Sequence, residues 1–595
     1  MSGRGTNSKT IADLLPKAAA QYGPNVAVRY KEGDAWVSKT FAEVLEIVRP
    51  LAFGLVTLGV EKGDRVSILG NTRPEWTYFD FAALSIGATV VPIYQTNSPE
   101  ECRYVLENSD SKVVVVEDAE QLEKVREVRD QLPLLEHVVL MTGAGGEDAI
   151  SMEDLAAKGG GGDMATWEAL YEAVTPEDIC TFIYTSGTTG PPKGCIISHG
   201  NYRAMLDMVR ETSVIEEGDL TYLYLPLAHS FALLIQLGSY DLGTAIAYWE
   251  RDPLKILPNL AELKPSYFPS VPRIFEKIYT AATSAMEKEG GLKKAIFNWS
   301  IGVGAKMRET ERAGRKPGFL LQRQYDFADK KVLSKIRGLF GGNIRLAVSG
   351  AAPINPEILR FFDAAGVLVL EGWGMTETST AATISSPDDF KVGTIGKPFP
   401  GCEVKIAEDG EILVKGPNVF QGYHKNPEAT AETIVDGWLH TGDIGEIDSE
   451  GFIKITGRKK DIIITAGGKN ITPANLEAEI KQHPLVSQCV VVGDRRPYLV
   501  ALVTLDPEEA ATYAQERNLS EDPTQLAKNA DVKASIEAHV DKINQNFARV
   551  EQVKKIAILP HDLSQESGEL TPTLKVKRAI VAQKHEDAIE QLYAA

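Results

Sequence analysis

Residues 184 to 194 read Tyr-Thr-Ser-Gly-Thr-Thr-Gly-Pro-Pro-Lys-Gly, and they leave little choice to the structure around them. The apolar run Ile179 to Tyr184 ahead of them is of strand type, and strand character resumes over Gly194 to Ser198. The segment is therefore a loop between two strands. Gly187, Gly190 and Gly194 let backbone N–H groups approach an anion with no Cβ in the way. Thr185, Ser186, Thr188 and Thr189 add hydroxyl donors, and Lys193 adds a positive charge. Most Gly/Ser/Thr clusters are plain surface turns, but this one gathers the groups that hold a polyphosphate. A Walker A loop would need Gly-x-x-x-x-Gly-Lys-Ser/Thr opening a helix. Here Gly194 follows Lys193, and Pro191-Pro192 stiffen the approach to it.

The 595 residues, 43% of them apolar, can bury several cores, so more than one domain is expected. Strand-like runs recur at 65–69, 89–93, 112–117, 137–141, 221–225, 344–349 and 367–370, with helical patterns such as 40–58 and 99–107 between them. That alternation predicts an α/β fold, sheets flanked by helices. From Cys402 the texture changes to short strands at 402–407, 411–415, 452–456 and 461–465. Thr472-Pro473 then opens a helix through Ile480, with Thr472 as N-cap, and strands follow at 488–492, 499–505 and 555–559. The expected division is a large N-terminal domain, 1–457, of several sheets and helices, and a small mobile α+β domain, 458–595.

A net charge of -19 argues against a general nucleic-acid or anionic-membrane binder. Cys102, Cys180, Cys195, Cys402 and Cys489 are scattered, with no C-x-x-C pair, and read as ordinary thiols of a reducing compartment. No run has signal-peptide or membrane-spanning character, and the nearest candidate, 233–249, carries Asp241. The expectation is a cytoplasmic protein, with peripheral membrane contact open and no obligate protein partner.

The 184–194 loop resembles the phosphate-binding signature of the AMP-forming adenylate synthetases, which include acyl-CoA synthetases, luciferases and peptide-synthetase adenylation domains. Six further segments match that superfamily in order. Leu225–Ala232 (LPLAHSFA) falls beside the carboxylate substrate, with His229 either a wall residue of that pocket or a structural histidine. Gly350, Ala351, Ala352 and Pro353, after Ser349, match the adenine pocket. In Gly372-Trp373-Gly374-Met375-Thr376-Glu377 the resemblance implies that Trp373 stacks on adenine, Thr376 meets the α-phosphate and Glu377 binds Mg²⁺. Asp443 in Thr441-Gly442-Asp443 and Arg458 in Gly457–Asp461 match ribose contacts, and Lys460 matches a hinge. Gly467-Gly468 match the turn lining a thiol channel. In Leu570–Arg578, Lys575 matches the adenylating lysine, preceded by Leu574 where many relatives have glycine, with Lys577 nearby. The Leu-Thr-Pro-Thr-x-Lys form is similar to the long-chain fatty-acyl-CoA synthetase branch.

The resemblance implies a ligase that joins a fatty acid to coenzyme A through an acyl-adenylate, using ATP and Mg²⁺. The alternatives are a ligase that hands its adenylate to a carrier protein and a silent nucleotide-binding scaffold. Lys193, Glu377, Asp443, Arg458 and Lys575 are all present, against the scaffold. The aromatic stretch 222–249 is either an acyl tunnel or ordinary core. From Lys288 to Arg337 the chain carries 13 Lys/Arg against 5 Asp/Glu. That stretch is either a solvated helical pair or a dock for an acidic membrane surface or the CoA phosphates.

Overall fold

A computed structural model of the chain describes residues 5–185, 191–466, 469–571 and 575–594. Strands covered on both faces read as unbroken apolar runs, and Ser111–Val116, with four valines in succession, is one of them. It lies inside an eight-stranded sheet ordered Gly422–Tyr423, Lys193–Ser198, Ile179–Thr185, Thr89–Ile93, Arg65–Leu69, Ser111–Val116, His137–Leu140 and Ile150–Ser151. A nine-stranded sheet is ordered Lys397–Pro398, Thr383–Ile384, Val369–Trp373, Leu346–Ser349, Tyr267–Ser270, Leu220–Leu223, Ala245–Tyr248, Val26–Glu32 and Ala35–Thr40. The five strands in its middle, Val369–Trp373 through Ala245–Tyr248, pair in parallel. Helices cover both sheets, so the α/β expectation is met.

Local chemistry sets the helix starts. Thr40 Oγ1 accepts the Glu43 N–H at 3.2 Å while the Glu43 carboxylate takes the Thr40 N–H at 2.7 Å, a reciprocal cap for Phe41–Thr57. Ser98 and Glu101 do the same for Pro99–Asn108. The helix Pro473–Ile480 begins where expected, but the Thr472 side chain makes no capping bond. It packs instead on Gly457, where an added Cβ would lie 2.7 Å from Thr472 Oγ1. The apolar stretch 233–249 divides at Gly243 into a helix and a strand. Its Asp241 is buried against Arg203 at 2.9 Å and accepts the Thr6 hydroxyl at 2.6 Å. Among the described residues no helix is long and apolar enough to cross a membrane. All five cysteines are buried and unpaired by disulfide.

One buried apolar cluster extends from Ile11 to Ile453, and another from Ile463 to Ile556. A third, under the helices 272–289 and 291–312, centres on Phe268, Phe275, Phe340 and Phe362, whose ring centroids lie 5.3 to 6.3 Å apart. The second cluster belongs to a three-stranded sheet, Val486–Val492, Leu499–Leu505 and Val553–Ile558, with its own helices. The structure differs from the sequence reading in several strands: Val26–Glu32, Ala35–Thr40 and Tyr267–Ser270 were not expected, Trp438–Ile447 is a ten-residue strand in a separate five-stranded sheet, and the strand expected over 461–465 is only Ile463–Ile464.

Candidate active site

In an open α/β sheet, ligands bind outside the carboxyl ends of the parallel strands. Here Ser270, Ser349 and Glu371 stand opposite one another on adjacent strands, so those strands reach that edge at one level. The segments 225–232, 350–353 and 374–377 all leave the sheet from this edge. Thr72 draws in the first of them: its hydroxyl donates to the Leu225 carbonyl at 2.6 Å and accepts the Leu227 N–H at 2.9 Å.

His229 caps the helix Ser230–Leu242, its Nδ1 accepting the Phe231 N–H at 3.2 Å. With Nδ1 so used, the neutral ring carries its proton on Nε2. Burial and then the charge of Lys575 hold its pKa down to about 3. Ala351 adopts φ +69, a left-handed backbone that costs a non-glycine residue of the order of 1–3 kcal/mol and marks a loop shaped by its surroundings.

The 374–377 segment is braced from several sides. Ser379 and Thr380 take φ +50 and +105, and their turn is tied by Asn418 Nδ2 to the Ala381 carbonyl at 2.8 Å. Ser379 Oγ returns a bond to the Asn418 carbonyl at 2.7 Å, and Thr380 Oγ1 donates to the Ser230 carbonyl at 2.8 Å. Thr376 and Glu377 are buried within this turn. Tyr423 donates its hydroxyl to Glu377 Oε1 at 2.7 Å, and Lys193 Nζ stands 4.9 Å from the centroid of the same ring. One Glu377 oxygen is thus oriented by a hydrogen bond.

Asp443 and Arg458 are cross-strand partners. Arg458 Nε donates to Asp443 Oδ1 at 2.6 Å, and the Trp373 indole N–H donates to Oδ2 at 2.8 Å. Each carboxylate oxygen has further lone pairs, so a vicinal diol can still be received. Lys575 stands close enough to Glu377, Asp443, Arg458 and His229 to interact with their charges. Its surface is open to solvent although protein surrounds it closely. Its pKa is lowered, first by desolvation and then by Arg458, against the pull of Asp443 and Glu377. Lys460 is exposed, next to Lys459, which is anchored to Asp409 at 2.6 Å and Glu411 at 3.0 Å. The loop residues Ser186, Gly187, Thr188, Thr189 and Gly190 and the pair Gly467-Gly468 lie outside the described residues; Thr185 and Lys193 flank that loop as register partners on two antiparallel strands, as expected.

Two residues of the site were not legible in the sequence. Tyr423 reaches Glu377 only because Gly422–Tyr423 pairs with Lys193–Ser198. Glu371, in the middle of the strand Val369–Trp373, accepts the Gly393 N–H at 3.3 Å, and burial raises its pKa to about 7. Neither falls in a spacing pattern that would have singled it out.

Loops leaving the ends of parallel strands, with Lys575 from the C-terminal portion near Glu377, Asp443 and Arg458, are the arrangement of an adenylate-forming type of α/β enzyme. The chain belongs to the AMP-binding enzyme family, whose pattern matches residues 15–424, and the AMP-binding enzyme C-terminal domain matches 460–595. It is 41% identical over 563 residues to long-chain-fatty-acid–CoA ligase FadD15 of Mycobacterium bovis, covering 94% of this chain and 92% of that one. It is 34% identical to long-chain-fatty-acid–CoA ligase ACSBG2 of Xenopus laevis, covering 98% and 84%. Among solved structures, the adenylation domain of a carboxylate reductase from Mycobacterium chelonae superposes with TM-score 0.79 at 20% identity, covering 99% of this chain and 92% of that one. A Mycobacterium tuberculosis fatty acyl CoA synthetase gives 0.62 at 23%, covering 98% and 99%.

Gly374 is where the site tolerates least. A Cβ there would lie 2.3 Å from the Thr380 carbonyl oxygen and 2.4 Å from Ala381 Cα. Gly374→Ala should therefore destabilise the protein by about 1–3 kcal/mol and abolish most ATP-dependent pyrophosphate release. Calorimetry and a pyrophosphate assay check both; a variant of unchanged activity would show that the turn can open without consequence.

Proposed function

We propose that the protein is an AMP-forming long-chain fatty-acid–CoA ligase. The observation that supports this most is the convergence of Lys575, Glu377, Asp443 and Arg458 on one cleft, in a chain whose curated relatives carry that activity in their names. A carboxylate is a poor acyl donor because its leaving group would be oxide. One of its oxygens attacks the α-phosphorus of ATP, the bond from that phosphorus to the bridging oxygen breaks, and pyrophosphate departs with the electron pair. Negative charge crowds at the α-phosphate as this happens, and Lys575 is the cation that bridges it and the carboxylate. Lys193 with the 185–190 loop receives the β- and γ-phosphates. Trp373 and the loop Gly350–Pro353 hold the adenine between them, with Met375 and Gly374 shaping the turn. Asp443 and Arg458 hold the ribose, and Thr376 meets the α-phosphate.

The donor set suits Mg²⁺, which takes one or two carboxylates and fills its shell with phosphate oxygens and water. Glu377 offers one buried carboxylate, already oriented by Tyr423. Among the described residues no cluster of three or more His, Cys, Asp or Glu forms a closed metal cage. Held there by Glu377, Mg²⁺ would supply positive charge to neutralise the phosphates.

In the second half-reaction the CoA thiolate attacks the acyl carbon and AMP leaves, its phosphate oxygen taking the electron pair. The thiol needs the place that Lys575 holds, so the unit 458–595 rotates about Lys460, and Gly467-Gly468 come to line the thiol's path. Exposed Lys460 beside anchored Lys459 is suited to a pivot. His229, neutral throughout the physiological range, forms part of the carboxylate pocket's wall.

The same reading includes peripheral contact with an anionic membrane surface. The helices Gly291–Arg312 and Phe319–Ala328 pack on each other within the basic stretch 288–337. They leave Leu292, Phe319 and Leu320 at 76%, 76% and 69% exposure, beside a half-exposed Trp299–Phe327 ring pair. Apolar tips among basic side chains, in a chain of net charge -19, complement an acidic headgroup layer.

Three outcomes test these readings. Lys575→Ala should cost adenylation on the order of 10²–10³-fold while leaving conversion of supplied acyl-AMP and CoA to thioester intact; equal loss of both steps would refute the division of labour. A panel of acids from acetate to arachidate, with and without CoA, should give thioester from the long-chain acids alone, whereas pyrophosphate without thioester would mean a carrier-protein acceptor. Lys316, Lys330 and Lys331 changed together to Glu should weaken co-sedimentation with phosphatidylglycerol vesicles, and unchanged binding would remove the membrane contact.

A further inference from the structure

The strand Tyr267–Ser270 ends at the site edge, and Val271-Pro272 lead at once into the helix Pro272–Glu289. Pro272, at the first helical position, presets the turn there. Arg273 is thereby held three residues beyond the strand end, at the rim of the candidate site. Its Nη2 donates to Asp506 Oδ2 at 2.6 Å, across 233 residues of sequence. One turn further, Lys277 Nζ faces Glu508 at 3.4 Å.

Asp506 is the N-cap of the helix Pro507–Arg517 and divides its two oxygens between two tasks. Oδ1 accepts the Glu508 and Glu509 N–H groups at 3.1 and 3.3 Å, and Oδ2 takes Arg273. The carboxylate is 10% exposed and the guanidinium 32%, so solvent screens this pair less than an ordinary surface one. The interface also carries an opposing element: Glu479 is disfavoured as a carboxylate first by burial and then by the charge of Glu357, in the helix Pro356–Ala365. In this arrangement Lys575 stands among Glu377, Asp443 and Arg458.

We infer that the Arg273–Asp506 ion pair is the latch that holds the C-terminal unit in the orientation seating Lys575, making both side chains positioning residues for adenylate formation. The inference rests on the two-orientation reading proposed above. Neither group touches the reacting atoms. The pair acts by weighting one orientation, and it parts when the unit turns for acyl transfer. The Glu357–Glu479 repulsion and the partial exposure of Arg273 keep that parting accessible.

The test is a double-mutant cycle on the full chain. Asp506→Asn keeps the capping acceptor and removes only the charge, Arg273→Ala removes the partner, and the third variant combines them. Adenylation is read by ATP–pyrophosphate exchange with palmitate in the absence of CoA, and acyl transfer by thioester from supplied palmitoyl-AMP and CoA. A partly exposed pair weights a two-state equilibrium by about fivefold. Exchange should fall by that factor in each single variant and no further in the double, while acyl transfer stays unchanged or quickens. High salt should bring the wild type towards the variants. Equal loss in both half-reactions would mean a structural role, and unchanged exchange or additive losses would mean no latch; either overturns the inference. Failure of the ligase reading registers separately, as wild-type exchange without thioester from CoA, and exchange with the salt series then still decides the latch.

Discussion

Ser270, Ser349 and Glu371 lie directly across from one another on neighbouring parallel strands, and the site follows from that register. Because side chains alternate along a strand, a slip of one residue would turn each of these groups to the other face and shift the loop that follows it. The loops 350–353 and 374–377 then inherit a common starting level. Tyr224 adds to the same band, its hydroxyl 2.6 Å from Ser270 Oγ. A buried aromatic layer built on Phe268, Phe275, Phe340 and Phe362 backs the sheet and resists such a slip.

On that edge the protein holds backbone conformations that few residues adopt unforced. Ala351, Ser379 and Thr380 are all at positive φ, and Asn418 and Ser230 supply the hydrogen bonds that keep the second turn in place. The bracing holds the turn that carries Glu377 in one geometry, which suits a reaction governed by positioning and charge. The same economy shows at Asp443, whose two oxygens are oriented from two directions by Trp373 and Arg458.

The buried residues from Ile463 to Ile556 form a hydrophobic cluster separate from the one that extends from Ile11 to Ile453, so each portion has a core of its own. Contacts between the two portions include charged, partly exposed pairs such as Arg273 with Asp506. The two-orientation reading proposed above calls for contacts of that kind, since its two states must lie within a few kcal/mol of each other.

Much of this was legible before any coordinates. Alternating short apolar runs announced the α/β layers, and the strands 65–69 and 89–93 fall where those runs predicted. The phosphate character of the 184–194 loop was readable from its glycines, hydroxyls and lysine, while the roles of the Gly372–Glu377 segment and of Lys575 came from resemblance to the adenylate synthetases. What spacing cannot encode is contact between segments far apart in the chain. Tyr423 on Glu377, Glu371 beside Ser349, the missing cap at Thr472 and the Arg273–Asp506 pair arise only when sheets pair and helices pack. The sequence by itself determined which local elements form and which groups were available for catalysis, since both depend on neighbours within a few residues. Which of those groups meet, and with what geometry, was decided by strand register and packing over separations of tens to hundreds of residues.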